Sequence, residues 1–455
     1  MHKLHLMWNG LRASLWFLPG LIVVCSVVLA VALVEIDGRV RPEFLAEYPR
    51  LFGAGAEGSR GMLGAIAGSM ITVAGVTFSI TIVALSLASS QYTPRILRNF
   101  MSDRWNQAVL GVFVGVFTYC IVVMRTVRGG DEGVFVPSLA VTFAVFLAIL
   151  GIGFLIFFIH HTAESIQASS VIASAAHETT AAVDRLFPEE VGRGAGGAES
   201  APTGEEPSGD AWQEVVSTST GYVQSVDEDA LLGVAAEHDT VLRMECGVGD
   251  FVVEGGSLAS LALDSPPEEA TAERLAGAYT ISRFRTVEQD AAFGVRQIVD
   301  IALEALSPGV NDTTTAVTCV DYLSAICARV AGRRTPDARR YHEGRLRVLA
   351  RGATFQSLLD EAFDQIRESA EGNAAVILRM LRALGAVARR TADGRRLSHV
   401  AAHAVRLRSL ADRSIKSEYD RARIDRAAAE LTLTLDGREK SCAAAAGDGR
   451  QVVRG

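Results

Sequence analysis

Four long uncharged apolar runs dominate the first third of this sequence. Leu15–Val34 has 20 residues without a charge, Met62–Ser89 has 28, Gln107–Met124 has 18 and Val134–Ile159 has 26. A helix needs about 20 apolar residues, with a range of about 17–25, to cross the hydrocarbon core of a bilayer. Buried helices of a water-soluble protein rarely stay apolar on every face for so long. The runs therefore predict four transmembrane helices within residues 1–160. Composition agrees: 49% of the residues are hydrophobic and 21% charged, with mean hydropathy +0.24. That excludes an intrinsically disordered chain. Six cysteines in 455 residues exclude a disulfide scaffold.

The first run follows Lys3 and Arg12 and contains Ala30-Val31-Ala32, which mimics a signal-peptide cleavage site. It is longer than the roughly 7–15 residues of a usual signal-peptide core, so an uncleaved helix is expected. Arg95, Arg98 and Arg104 face one acid, Asp103, in the loop after the second run. The loop after the first run mixes Arg39, Arg41, Arg50 and Arg60 with five acids. The positive-inside rule then puts both termini in the cytoplasm, although Arg125 and Arg128 on the outer side run against it. Cys25 and Cys120 lie in spans, and Cys246, Cys319, Cys327 and Cys442 form no CxxC, as in a reduced compartment.

No span carries a charge in its interior, so a proton-coupled pump lacks its expected parts. The second span instead carries Ser69, Thr72, Ser79, Ser86 and Ser90 on one face at near-heptad spacing. Two readings stay open. Small hydroxyl residues let helices pack closely, as Gly64-x-x-x-Gly68 and Gly111-x-x-x-Gly115 do. The same face lines a pore if several copies assemble around it. The segment Gln91–Asn106 is expected to form a short interfacial helix, with Ser102 or Asp103 capping the third span.

The helical pattern of the fourth span continues to Phe187, 54 residues or about 81 Å from Val134. Residues 161–187 thus form an extension whose seam, Ile166, Ser169, Ile172, Ala176, Thr179, Val183 and Leu186, suits close packing within one chain or around a symmetry axis. His160, His161 and Glu164 at the membrane exit read as interfacial polar residues in preference to a metal site. Residues 188–211 are a Gly/Ala/Pro/Glu linker. Residues 212–265 alternate short strands and glycine turns and predict a small β-sandwich. Residues 266–435 read as a helical domain. Helices are expected at Glu288–Leu306, Thr313–Ala331, Arg345–Gly352, Gln356–Ala370, Ala374–Ala392 and Leu397–Leu435, with a disordered tail at 436–455. The fold class expected is an integral membrane α-helical part plus a cytoplasmic α+β region.

The stretch VLRMECGVGDFVVEGGSLASL is similar to lipoyl/biotinyl barrel-sandwich domains. Those carriers present a lysine on a hairpin, and no lysine occurs between Lys3 and Lys416, so the likeness covers fold only. The stretches MLGAIAGSMITVAGVTFSITIVALSLASSQYTPRILRNFMSDRWNQAVLGVFVG and RTVEQDAAFGVRQIVDIALEALSPGVNDTTTAVTCVDYL resemble a family of bacterial predicted membrane proteins, domain of unknown function twenty-two fifty-four. The resemblance covers nearly the whole chain. It implies a four-span membrane protein with a C-terminal soluble region, and it carries no catalytic residue; the bacterial inner membrane is the expected location.

Arg283, Arg285, Asp290, Arg296, Asp300, Asn311 and Asp312 cluster around one apolar helix and one turn. They read either as a structural ion network or as a contact for an anionic ligand or a second subunit. His399 and His403 stand four apart, but Val400 occupies the place of the HExxH glutamate. No Walker loop, GxSxG or GxGxxG after a strand is present, so no enzyme activity, cofactor or metal is expected. From Glu178 to Arg274 the net charge is −17, and from Arg329 to Arg426 it is +10. The halves are candidates to pair with each other, and the basic helices to meet anionic lipid headgroups. Nucleic acid is not an expected partner. The expected function is a homo-oligomeric channel for ions or small solutes with a regulatory cytoplasmic region. The alternative is a membrane-anchored sensor or scaffold that binds a ligand or protein.

Overall fold

The computed structural model describes residues 16–39, 55–91, 103–129, 135–187 and 212–452, with backbone alone at 88–91 and 442–452. The expected linker at 188–211 and most of the interfacial segment 91–106 lie outside the described residues. The chain divides into two compact units, Met1–Ser170 and Val171–Gly455.

Among the described residues the first unit holds four helices long and apolar enough to cross a bilayer: α1 (Phe17–Asp37), α2 (Ala56–Gln91), α3 (Arg104–Thr126) and α4 (Ser138–Ser165). Their core is regular and mostly apolar. On α2 the buried positions include Ser59, Leu63, Ala67, Met70, Ala74, Thr77 and Ala84. On α3 they include Asn106, Val109, Phe113, Val116, Cys120 and Val123. These three- and four-residue steps are the seam of antiparallel helix packing. Gly111 and Gly115 sit at the α1 crossing. A Cβ at Gly111 would lie 2.7 Å from Ile22 Cδ1, and one at Gly115 would lie 2.6 Å from Ser26 Oγ. This GxxxG pair therefore serves close packing inside the chain.

Polar contacts fasten both ends of the bundle. At one end Asp37, the last residue of α1, accepts the Leu139 and Ala140 N–H groups at 3.1 and 2.9 Å. A helix start in an apolar setting needs such an acceptor for its orphan donors. Tyr119 donates to the Ala140 carbonyl at 2.8 Å, and Arg60 donates to the Val127 carbonyl at 2.6 Å. At the other end Asp103 caps α3 through Trp105 N–H at 2.9 Å and meets His161 Nε2 at 2.6 Å. The start of α3 and the end of α4 therefore share one end of the bundle.

The helix expected to run unbroken to Phe187 is interrupted. It ends at Ser165, turns at Ile166–Gln167, and resumes as α5 (Ala168–Leu186). The Gln167 N–H reaches back only three residues, to the Glu164 carbonyl, in a tightened last turn.

Among its described residues the second unit has two sheets and a group of helices. Its elements are β1 (Trp212–Val216), β2 (Gly221–Val226), α6 (Glu228–Glu237), β3 (Leu242–Met244), β4 (Phe251–Val252), β5 (Ser257–Ala262), α7 (Glu269–Ala276) and β6 (Tyr279–Ser282). There follow α8 (Ala291–Ala305), α9 (Thr313–Ala331), β7 (Arg339–His342), β8 (Arg345–Leu349), α10 (Phe355–Ser369), α11 (Ala374–Arg390), α12 (Gly394–Ser414) and α13 (Glu418–Val452). The five-stranded sheet has the order β1-β5-β3-β8-β7, and the three-stranded sheet the order β4-β2-β6. The Arg345–Gly352 segment, expected as a helix, is strand β8. Glu343 and Gly344 take positive φ and close a two-residue hairpin, and Val348 pairs with Leu242 in the core. The single helix expected over Leu397–Leu435 is two, broken at Ile415–Ser417, where Arg421 donates to the Ile415 carbonyl. The tail expected to be disordered continues α13 as helix to Val452.

Candidate functional site

The hydroxyl face of α2 is the first candidate. Ser69, Thr72, Ser79 and Ser86 are all exposed in the single chain, and the side chain of Ser90 lies outside the described residues. They stand opposite the buried face of Leu63, Met70, Ala74 and Thr77, as a 100° helical step dictates. Ser69, Thr72 and Ser79 donate to their own i−4 carbonyls at 2.8–2.9 Å. Gly68 and Gly75 lie along the same stripe, and a Cβ at either would meet nothing within 4 Å. Bulky Phe78, Ile82 and Leu87 flank it and are also exposed. Among the described residues no helix covers this small-residue stripe; within Gly64-x-x-x-Gly68 only Gly64 meets another helix, a Cβ there lying at an ordinary 3.7 Å from Met124 Cε.

The polar cluster of residues 283–312 separates into three local arrangements. Arg285 Nη2 meets Asp290 Oδ2 at 2.7 Å, while Asp290 Oδ1 caps α8 through Phe293 N–H at 2.9 Å. Gly249, at φ +92°, packs so closely on this pair that a Cβ would lie 2.6 Å from Asp290 Oδ2. Arg296 bonds Asp300 at 2.6 Å and Glu361 at 3.3 Å. Asp312 caps α9 through Thr314 and Thr315, and its hydrogen bond from the Thr315 hydroxyl holds its carboxyl below the usual carboxylate range. Asn311 supplies the left-handed turn before it at φ +48°. Arg283 is exposed. The seven residues do not converge on one ligand position.

The seam on α5 is used inside its own chain. Ile172, Ala176, Thr179 and Val183 are buried, and Thr179 lies against Gly294 of α8. Several basic side chains also find acids within the unit. Arg345 and Arg347 bind Asp239 at 3.0 and 2.5 Å, Arg340 binds Glu228 at 3.1 Å, and Arg329 binds Asp184 at 2.5 Å. Part of the charge asymmetry is thus spent on intrachain pairing.

His399 and His403 do not converge. His403, 2% exposed, lies 2.8 Å from Asp360 Oδ1 and 3.9 Å from Asp364 Oδ1, both on α10. Sequence spacing along α12 alone could not reveal this group. Its ligand atoms lie within 4.8 Å of one another. Arg406 stands 3.2 Å from Asp364 and Arg367 3.6 Å from it, so the carboxylates already face two cations. Burial lowers the His403 pKa against the opposing pull of Asp360 and Asp364. The unfolded chain takes up this proton near pH 6.5, and the folded chain resists it. The stability contribution is full above about pH 6.5 and is lost as pH falls through that value toward the folded pKa. The unfolding temperature of the full chain should therefore fall more between pH 7.5 and 5.5 in the wild type than in His403→Gln. Equal falls refute the assignment.

Four bilayer-length apolar helices, joined to a unit of mixed helices and sheets, place this chain in the class of predicted polytopic membrane proteins. It belongs to the family described as Predicted membrane protein (DUF2254), whose model matches residues 12–386. Uncharacterised proteins of Mycobacterium bovis and Mycobacterium tuberculosis are each 34% identical to it over 384 residues, covering 83% of this chain and 73% of theirs. No solved structure matches it significantly.

Proposed function

We propose that this protein is a homo-oligomeric channel for ions or small solutes, assembled in the inner membrane around α2. One observation carries the reading: α2 turns its Ser69–Thr72–Ser79–Ser86 stripe away from its own bundle. Such a stripe between bulky apolar flanks fits a second helix, or a water column, better than lipid tails. The back-bonded hydroxyls still offer lone pairs to a passing solute. The arginines flanking the spans favour a cytoplasmic C-terminal unit, and in this reading that unit regulates the passage.

The test uses the purified full chain in liposomes. The reading expects an oligomer by native mass spectrometry and ion flux across the vesicle. Ser79→Leu should cut that flux about tenfold or more by replacing a small hydroxyl with a bulky apolar group. An oligomer without flux favours the sensor or scaffold reading, and a monomer overturns both the assembly and the passage.

A further inference from the structure

The interior of the four-helix unit contains polar side chains without partners. Thr77 Oγ1, both amide atoms of Asn106, and Thr162 Oγ1 are buried and make no hydrogen bond. Thr77 is 1%, Thr162 5% and Asn106 7% exposed. Neighbouring hydroxyls on the same helices behave differently: Thr72 and Thr81 on α2 and Thr142 on α4 donate to their i−4 carbonyls at 2.8–2.9 Å.

Helical register brings these groups to one end of the bundle. The three helices α2, α3 and α4 meet at Gly151, where a Cβ would lie 3.1 Å from Met70 Sδ and 3.9 Å from Phe113 Cε1. Two turns, seven residues or about 10.5 Å, preserve the face of a helix to within about 20°. Two turns from Met70 along α2 is Thr77, from Phe113 back along α3 is Asn106, and from Gly151 along α4 is Phe158. Thr162 is one turn beyond Phe158 and next to His161, whose ring is fixed to Asp103 at 2.6 Å. Polar groups thus replace apolar ones at successive interior positions, next to the Asp103–His161 end.

A buried core asparagine often sets helix register by bonding a partner in the core. Asn106 has no such partner, so register alone does not explain it. In an apolar surround an unmet amide is strongly unfavourable. The four orphan atoms include a donor pair, an acceptor and two hydroxyls that do either. They carry no formal charge. The carboxylate of Asp103 already receives Trp105 N–H on one oxygen and His161 on the other. A neutral ligand that both donates and accepts fits this set, and a small buried polar site with several partners holds water.

We propose that Thr77, Asn106 and Thr162 wall a hydrated recess inside the membrane bundle, a binding site for water next to the Asp103–His161 pair. The recess lies on the opposite face of α2 from the hydroxyl stripe. It therefore stands or falls independently of the proposed channel.

Thiol reactivity tests it, because a cysteine ionises and reacts only where water reaches it. Asn106→Cys, Thr162→Cys and, as a dry control one turn deeper, Ala74→Cys are made in the full chain. Each is treated in liposomes with methyl methanethiosulfonate, a small neutral reagent, and site-specific modification is read by peptide mass spectrometry. Modification at 106 and 162 should run at least about tenfold faster than at 74. Equal rates at all three overturn the recess. Asn106→Leu gives a second readout. In a hydrated recess it expels water and strands the two threonine hydroxyls, so the unfolding temperature falls. A rise means the site is dry and overturns the proposal.

Discussion

Gly294→Val should cost the C-terminal unit about 3 kcal/mol or more, measured as a lowered unfolding temperature and faster proteolysis of the full chain. The site is a helix crossing. Thr179 of α5 is fully buried, and its hydroxyl donates to the Ala175 carbonyl at 2.6 Å. A Cβ at Gly294 would fall 2.9 Å from both Thr179 Cβ and Cγ2, and closer still to its hydroxyl. Contacts this short force α5 and α8 apart. Glycine inside a helix normally costs about 1 kcal/mol relative to alanine. Gly294→Ala gains that propensity and should still destabilise, because even a methyl group meets Thr179. Thr179→Ala removes the hydroxyl and methyl and should recover part of the Gly294→Ala loss in a double-mutant cycle. Additive losses would show that the two residues are not coupled.

What was legible in the sequence follows from range of interaction. The four apolar helices needed only local length and absence of charge. The glycine turns around β4 and β5, and the Asp312 cap, are also local. The close-packing character of α5 was readable from its small residues, but its partner Gly294 lies over 100 positions away. Strand β8 is not legible locally for the same reason. Its parallel partner β3 lies about 100 residues earlier, and its sequence RLRVL reads as helix until the Glu343-Gly344 turn is recognised. Asp37 looked like one of several loop acids, yet it caps a helix that begins 101 residues later. In the candidate sites, spacing on one helix revealed the α2 stripe. It did not reveal the His403 group or the α2–α3–α4 recess, because each draws on separate helices.

Arg333→Ala should be comparably severe, at about 2–4 kcal/mol, and for an electrostatic reason. Arg333 is 7% exposed. Its Nη1 donates to the Phe187 carbonyl and to the Asp184 carbonyl, and its Nη2 meets Asp184 Oδ1 at 2.8 Å. One guanidinium thus satisfies the carbonyls at the end of α5, where a helix has no donors of its own. It also shares Asp184 with Arg329, whose hydrogen bond holds that carboxyl below the usual carboxylate range. Removing Arg333 leaves the buried Phe187 carbonyl without this donor, while Arg329 still neutralises the acid. The loss should therefore come mainly from the backbone carbonyls and persist in high salt. A charge-only role would instead make it shrink with salt. Arg333→Lys keeps the charge but cannot span both carbonyls and the carboxylate with a planar fork. It should recover less than half of the loss. Full recovery by lysine would show that position 333 supplies charge alone, and that α5 is held by its apolar seam.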